Sequence, residues 1–339
     1  YFSVPPSVFE NIVENLAHIR TNKKDDTRLI LEKPFGHDYC SAHKMFHTVT
    51  SYFEEDQVYL LDHYLGKKAV RSLIPLRNMN RILNLMLKGR EVDNIQISAL
   101  ETLGVRHRAG YFNGVGIIKD MVQSHLLQLL ALVTMSIPIE KTAQSVQQEK
   151  TAILSALHFV PKKENLVLGK YKGAGASTFA ALKIWINRES WHGVPIYLRT
   201  GKKLPKKNTY IVIELKKFGF QDAHQEPNRV IIELSPHEKI HIRLLDEDGV
   251  TSRLGEIGVS ESIACQGDYC LPEHGLLLLD VLRGENMFFM SVQEILASWK
   301  VIDEVERVAQ KTKPTVYAPG SNGPKAQDKL IGPKSWYSF

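Results

Sequence analysis

From Gly175 onward the chain changes texture in a way that restricts its fold more than any other feature. Five β-patterned segments follow one another: Ser177 to Asn187, Ile196 to Arg199, Tyr210 to Leu215, Arg229 to Leu234 and Lys239 to Leu245. Only turn signals separate them, such as Arg188-Glu189-Ser190 and Asp246-Glu247-Asp248-Gly249. Strands joined by short turns pair antiparallel, because a parallel return needs a crossover of a dozen or more residues. A large, mainly antiparallel sheet is therefore expected. Two helices, Leu276 to Leu282 and Val292 to Gln310, and a Pro-, Gly- and Ser-rich tail from Lys313 to Phe339 follow it.

The opening of the chain has a different pattern. Tyr1-Phe2-Ser3-Val4 is extended and ends at Pro5-Pro6. Phe9, Ile12, Val13 and Leu16 recur at helical spacing. Arg28-Leu29-Ile30-Leu31-Glu32 then reads as a buried strand, stopped by Pro34 and Gly36. Strand, helix, strand is the closing part of a βαβ pattern. Ser41 to Arg90 reads as mostly helical, and Val92 to Ala99 alternates like a strand. Val115 to Met135 reads as one long helix, apolar on most faces and therefore buried. The expected class is α+β. Residues 1–38 form the end of an α/β unit, and residues 39–339 form a sheet domain with helices.

Charge narrows the partners. The formal net charge is +6 over 339 residues, and a basic balance favours anionic ligands. The cations are scattered, with no aromatic-interleaved basic stretch, which argues against nucleic acid and for a small phosphate ester. No run reaches the ~18 apolar residues needed to span a bilayer, so no membrane role is expected. The three cysteines, Cys40, Cys265 and Cys270, make neither a disulfide scaffold nor a zinc pattern. Reduced thiols in a reducing compartment are the expectation.

Four segments could carry chemistry. Glu32-Lys33-Pro34-Phe35-Gly36 sits at the C-terminal end of an expected strand, where ligands of α/β sheets gather. Lys33 could contact an anion there, or be a solvated turn lysine. Asp62-His63-Tyr64-Leu65-Gly66-Lys67 packs ionisable groups among leucines. If it is helical, His63 and Lys67 share a face, and lysine, imidazole and phenol suit a phosphate dianion. Its plain alternative is an amphipathic helix start with Asp62 as the cap. His125 lies five residues after Asp120, before a strongly apolar run. It is a candidate general base or a satisfied core histidine. The two side chains could face one pocket only if the helix is interrupted, or if the pocket wraps its end. Leu198 to Lys207 runs a strand into a glycine turn rich in lysine, either an anion site or a solvated loop. No G-x-G-x-x-G, Walker, H-E-x-x-H or G-x-S-x-G motif is present.

The order of these segments is more telling than any one of them. EKPFG (Glu32 to Gly36), DHYLGK (Asp62 to Lys67), GYFNGVGIIKDMVQSHLLQLLALV (Gly110 to Val133) and WHGVPIYLRTGKKLPKK (Trp191 to Lys207) follow in that sequence. So ordered, the chain resembles the glucose-6-phosphate dehydrogenase family over nearly its whole length. The tail Tyr317 to Pro324 and the closing Ser335-Trp336-Tyr337 are similar to the family's C-terminal end.

The resemblance implies a two-domain oxidoreductase that uses NADP to oxidise glucose 6-phosphate. It implies His125 as general base and Asp62 as the carboxylate that orients it. His63, Tyr64 and Lys67 would grip the phosphate. Glu101 and Asp120 would bind sugar hydroxyls, and Lys202 and Lys207 would add further substrate contacts. Lys33 would reach both substrate and cofactor, with Pro5 and Pro6 beside the nicotinamide. No metal is implied, and a cytoplasmic homo-oligomer, dimer or tetramer, is. The family's N-terminal glycine fingerprint is not among these residues, so the chain by itself is expected to bind NADP weakly or not at all. Glu233 and Asn322 stand where members with a second, structural NADP carry arginines. Two other readings share these motifs: a secretory-pathway hexose-6-phosphate dehydrogenase, and a non-catalytic sugar-phosphate-binding protein.

Overall fold

A computed structural model describes residues 1–5, 8–20, 26–105, 109–219, 225–245, 254–259 and 271–338. Pro6, the expected turn at 246–249, Cys265 and Cys270 lie outside the described residues. The first strands, β1 (Leu29–Glu32) and β2 (Val58–Leu61), pair in parallel. Phe2 bridges Leu31 in the same sense, and the helix Phe9–Ile19 joins Phe2 to β1. This is the expected strand-helix-strand closure.

The main sheet contains β3 (Val92–Leu100), β4 (Leu157–His158), β5 (Leu166–Tyr171), β6 (Phe179–Ile186), β7 (Ile196–Gly201), β8 (Asn208–Leu215), β9 (Arg229–Ser235), β10 (Lys239–Leu245), β11 (Leu254–Val259) and β12 (Thr315–Tyr317). Its order is β11-β10-β9-β8-β3-β7-β6-β5-β12, with β4 pairing beside it on β6. All of its neighbouring pairs are antiparallel except β3 with β7 and β5 with β12. The mainly antiparallel expectation therefore describes the sheet, and the strand patterns after Gly175 match β6 to β10.

Both faces of the central strands are covered, which is why β3, β7 and β8 are buried almost end to end. The apolar helix ending at Thr134 contributes to the core on one side, with Leu126, Leu127, Leu129 and Leu130 essentially inaccessible. The C-terminal tail anchors to the sheet by side chains rather than by periodic structure. Tyr210 Oη donates to the Tyr337 carbonyl at 2.6 Å, and the Tyr337 N–H donates to Gln96 Oε1 at 2.9 Å. The Arg199 guanidinium lies 4.3 Å from the Trp336 ring. A Pro- and Gly-rich composition carries no signal of such docking.

Two helical expectations need correction. Val58–Leu61 lies in the stretch expected to be mostly helical, yet it is a fully buried strand. A run of four apolar residues has no period by which to tell a buried strand from a buried helix. The stretch from Val115 to Met135 is not one helix. The helix Ala109–Ile117 breaks at Gly116, whose φ of 70° and ψ of 170° are open to glycine and strained for other residues. A π-helical turn, Ile118–Leu126, follows, and then an α-helix, Leu127–Thr134. The Leu127 N–H reaches back to the Val122 carbonyl, the i to i+5 spacing of a π-turn.

Candidate active site

The last register pair of β1 and β2 is Glu32 with Leu61. Lys33 and Asp62 therefore leave the sheet side by side, at the C-terminal ends of two parallel strands. Asp62 opens a single 3-10 turn, His63–Gly66, and its Oδ1 accepts the Tyr64 N–H at 2.9 Å. The conditional helical reading of this run thus gives way to a strand end and a capped tight turn. Lys67 leads directly into the helix Lys68–Met79.

The π-turn supplies the next groups. In an α-helix with 3.6 residues per turn, positions five apart point away from one another. The wider π-turn brings Asp120 and His125 toward one side. Lys33 Nζ confirms the convergence by donating to the Asp120 carbonyl at 2.9 Å and lying 3.4 Å from Asp120 Oδ1. It also lies 2.7 Å from His125 Nε2. On the other side of the ring, His125 Nδ1 lies 2.6 Å from Asp62 Oδ1. Both side chains are sealed from solvent.

This geometry settles the tautomer. A lysine ammonium can only donate, so Nε2 presents its lone pair to Lys33 and Nδ1–H donates to Asp62. Burial pushes the imidazole below its ordinary pKa, and the Lys33 charge adds to that, against the opposing pull of Asp62. His125 is a neutral base. Burial alone would raise the Asp62 carboxyl. The attraction of His125 in its protonated form and its hydrogen bond outweigh that and bring the group down to about 2.

A second parallel strand pair delivers the remaining charges. Leu100 of β3 pairs with Gly201 of β7, so Glu101 and Lys202 also emerge together at the strands' C-terminal ends. Lys202 Nζ lies 2.6 Å from Glu101 Oε2 and 3.3 Å from Asp120 Oδ2, with its ammonium 5.4 Å from the Phe112 ring centre. Asp120 thus stands between Lys33 and Lys202. Those two cations hold its carboxyl below the usual range although burial opposes them. Burial would lower Lys202 in turn, and Asp120 with Glu101 reverses this and raises it.

Aromatic rings wall the base. The Tyr64 ring stacks on His125 at 4.2 Å between centroids and 19° between planes. His63 meets His125 edge-on at 4.8 Å. Burial first, and then the neighbouring His125, push the His63 imidazole down to about 4. His274 stacks parallel on His63 at 5.8 Å, and Lys67 Nζ lies 3.0 Å from Glu273 Oε1. Neither Glu273 nor His274 belongs to a sequence motif. Their only signal is the proline-led helix start Pro272-Glu273-His274.

The structure brings Lys33, Asp62, His63, Tyr64, Lys67, Glu101, Asp120, His125 and Lys202 into one connected cluster. Lys207 is exposed in the turn before β8, and Pro5 is exposed ahead of the first helix, its carbonyl accepting the Val8 N–H at 3.1 Å. Among the described residues, Asp62, His63 and His125 offer three donor atoms within 4.8 Å of one another, the spacing of a metal site. The charges oppose that use: Lys33 already places a cation against Nε2, and Nδ1–H already serves Asp62.

Comparison with known proteins identifies the family. Residues 1–72 match the family model described as glucose-6-phosphate dehydrogenase, NAD binding domain. Residues 74–337 match the one described as glucose-6-phosphate dehydrogenase, C-terminal domain. The cytoplasmic isoform of glucose-6-phosphate 1-dehydrogenase from Solanum tuberosum is 33% identical over 352 residues, covering 98% of this chain and 69% of that protein. The crystal structure of glucose-6-phosphate 1-dehydrogenase from Mycobacterium avium superposes with a TM-score of 0.84 at 30% identity, over 99% of this chain and 76% of that one. A glucose-6-phosphate dehydrogenase solved with its substrate glucose 6-phosphate gives a TM-score of 0.88 at 27% identity, over 99% of this chain and 75% of that one. With two family models that together span residues 1–72 and 74–337, and a relative above 30% identity along nearly the whole sequence, the chain belongs to the glucose-6-phosphate dehydrogenase family.

Proposed function

We propose that the chain oxidises glucose 6-phosphate at C1 to 6-phosphoglucono-1,5-lactone, with NADP as the hydride acceptor and His125 as the general base. The observation that carries this reading is the sealed Asp62–His125 pair, whose free nitrogen lone pair faces into the cluster. Nε2 takes the C1 hydroxyl proton, and the hydroxyl replaces the Lys33 ammonium as its partner. The C1–H electron pair leaves with its hydrogen, and the C1–O bond becomes a carbonyl. The imidazolium formed is stabilised by Asp62.

NADP, when bound, supplies the acceptor for the electron pair. The residues fit its nicotinamide end. The C-terminal ends of parallel strands form the customary crevice for such a ligand, and Lys33 carries a cation to the junction of base and substrate. Lys33 and Pro5 are the described residues that would border it. The remaining cluster positions the sugar. Glu101, Asp120 and Lys202 alternate in charge and suit hydroxyl groups, while His63, Tyr64 and Lys67 suit the phosphate, whose remote binding holds C1 at the base. Lys207 is a further substrate contact on this reading.

Relatives named as cytoplasmic isoforms support a cytoplasmic location over the secretory alternative. No described helix is long and apolar enough to cross a membrane. The direct test is His125→Asn. It should lower kcat by about 10²- to 10⁴-fold, the usual contribution of a positioned base, with the KM for glucose 6-phosphate nearly unchanged. Retention of more than a tenth of the activity refutes the assignment.

A further inference from the structure

The phosphate end of the cluster already holds an anion from the chain itself. Glu273 is the first residue of the helix Glu273–Arg283, where the helix dipole favours a carboxylate. Its Oε1 lies 3.0 Å from Lys67 Nζ. Lys67 is 14% exposed and Glu273 37% exposed, so the pair sits at the mouth of the site with the carboxylate outermost. Burial would raise the Glu273 carboxyl, but the hydrogen bond from Lys67, that of its own backbone N–H and the charge of Lys67 hold it below its ordinary value. Lys67, one of the side chains assigned to the phosphate, is thus the side chain that chiefly stabilises this carboxylate. The helix start is packed closely against the turn His63–Gly66. A Cβ on Gly66 would meet the Glu273 carbonyl oxygen at 2.7 Å, so turn and helix are packed backbone to backbone. His274, the next residue, stacks on His63 and fixes the same approach.

We propose that Glu273 is a built-in competitor for the phosphate subsite: its carboxylate occupies that subsite in the free enzyme, and an incoming phosphate must displace it from Lys67. The proposal rests on the assignment of Lys67 and His63 to the phosphate. A sugar phosphate compensates the displacement through its hydroxyl contacts to Glu101, Asp120 and Lys202. Free inorganic phosphate has no such contacts, so the same cost leaves it the weaker ligand. The carboxylate therefore lowers the affinity for every phosphate by the same factor, and small anions that lack the sugar contacts are left too weak to fill the site.

The test is titration of inorganic phosphate into the full chain by calorimetry, together with its inhibition constant against glucose 6-phosphate in the presence of NADP. Glu273→Gln should bind inorganic phosphate about three- to fivefold more tightly, the worth of a partly exposed ion pair, with a proportionate fall in the inhibition constant. Glu273→Ala should move both in the same direction. In a Lys67→Met background, the Glu273→Gln effect should vanish. Phosphate binding that is unchanged or weakened in both Glu273 variants overturns the proposal, since it would mean that the carboxylate merely positions Lys67. Lys67→Met by itself should weaken phosphate binding. If it does not, the phosphate assignment of Lys67 is what fails, independently of Glu273.

Discussion

Asparagine in place of Asp62 removes one charge from a buried pair and almost no volume. The carboxylate and the imidazole touch at 2.6 Å, and neither side chain sees solvent. With charge centres about 4 Å apart and an effective dielectric near 20, the attraction between carboxylate and imidazolium is about 4 kcal/mol. On the proposed mechanism the imidazolium forms as His125 takes the substrate proton, so this attraction belongs to the reaction path. At about 1.4 kcal/mol per factor of ten, the ceiling on the loss in kcat is about a thousandfold. A transition state with the proton half transferred realises about half of that energy, which gives a floor of about thirtyfold. The Asn side-chain oxygen can still accept the Tyr64 N–H, so the turn should survive.

The assay is the rate of nicotinamide reduction across pH, at saturating and at limiting glucose 6-phosphate. A second readout has a fixed sign. Asp62 is a raising influence on the His125 pKa. Removing it should move the acid limb of kcat/KM to lower pH while kcat falls. A loss under tenfold, or a limb that moves upward, refutes the role of the pair.

Lys33→Met should do the opposite to the limb, because its charge is a lowering influence on His125. The acid limb should rise, and a limb that stays in place contradicts the contact. His63 links stability to pH: its folded value of about 4 lies below the ordinary 6.5, so the unfolded chain binds the proton more readily. That stability is complete above pH 6.5 and is lost as pH falls toward 4, and His63→Gln should flatten this part of a denaturant-midpoint series. Gly66→Ala puts a methyl group 2.7 Å from a backbone oxygen that cannot turn aside. It should cost about 1–3 kcal/mol by overpacking, lower the Tm, and raise the KM for glucose 6-phosphate more than it lowers kcat.

How much of this was legible in the sequence depended on the range over which each feature is encoded. Strands β6 to β10 carry β patterns separated by turn residues, a local signal, and the structure follows it. Lys33 and the Asp62 to Lys67 run were visible as unusual clusters of ionisable groups, each with a plain alternative that composition could not remove. Val58–Leu61 was not visible, because four buried apolar residues have no period. The π-turn was not visible either. The sequence shows Asp120 and His125 off one another's helical stripe, and only the wider turn after Gly116 removes the conflict. Glu273 and His274 come to the site from a distant segment through packing against Gly66, for which no local pattern exists.

The placement of the chemistry follows from strand direction. Lys33 and Asp62 leave β1 and β2, and Glu101 and Lys202 leave β3 and β7. These are the two parallel pairs that serve the site, in a chain whose other strand contacts are nearly all antiparallel. An antiparallel pair sends its two C-terminal ends in opposite directions, so it cannot deliver two following residues to one point. A parallel pair does so at every register. The pairing of β3 with β7 joins Ile95 to Ile196 across a long stretch of helix and sheet, a range that periodicity cannot report. The feature that shapes most of the fold, strand after strand with short turns, is therefore not the feature that builds the site. The four charged groups come together because two pairs depart from that rule, and the π-turn places His125 and Asp120 among them.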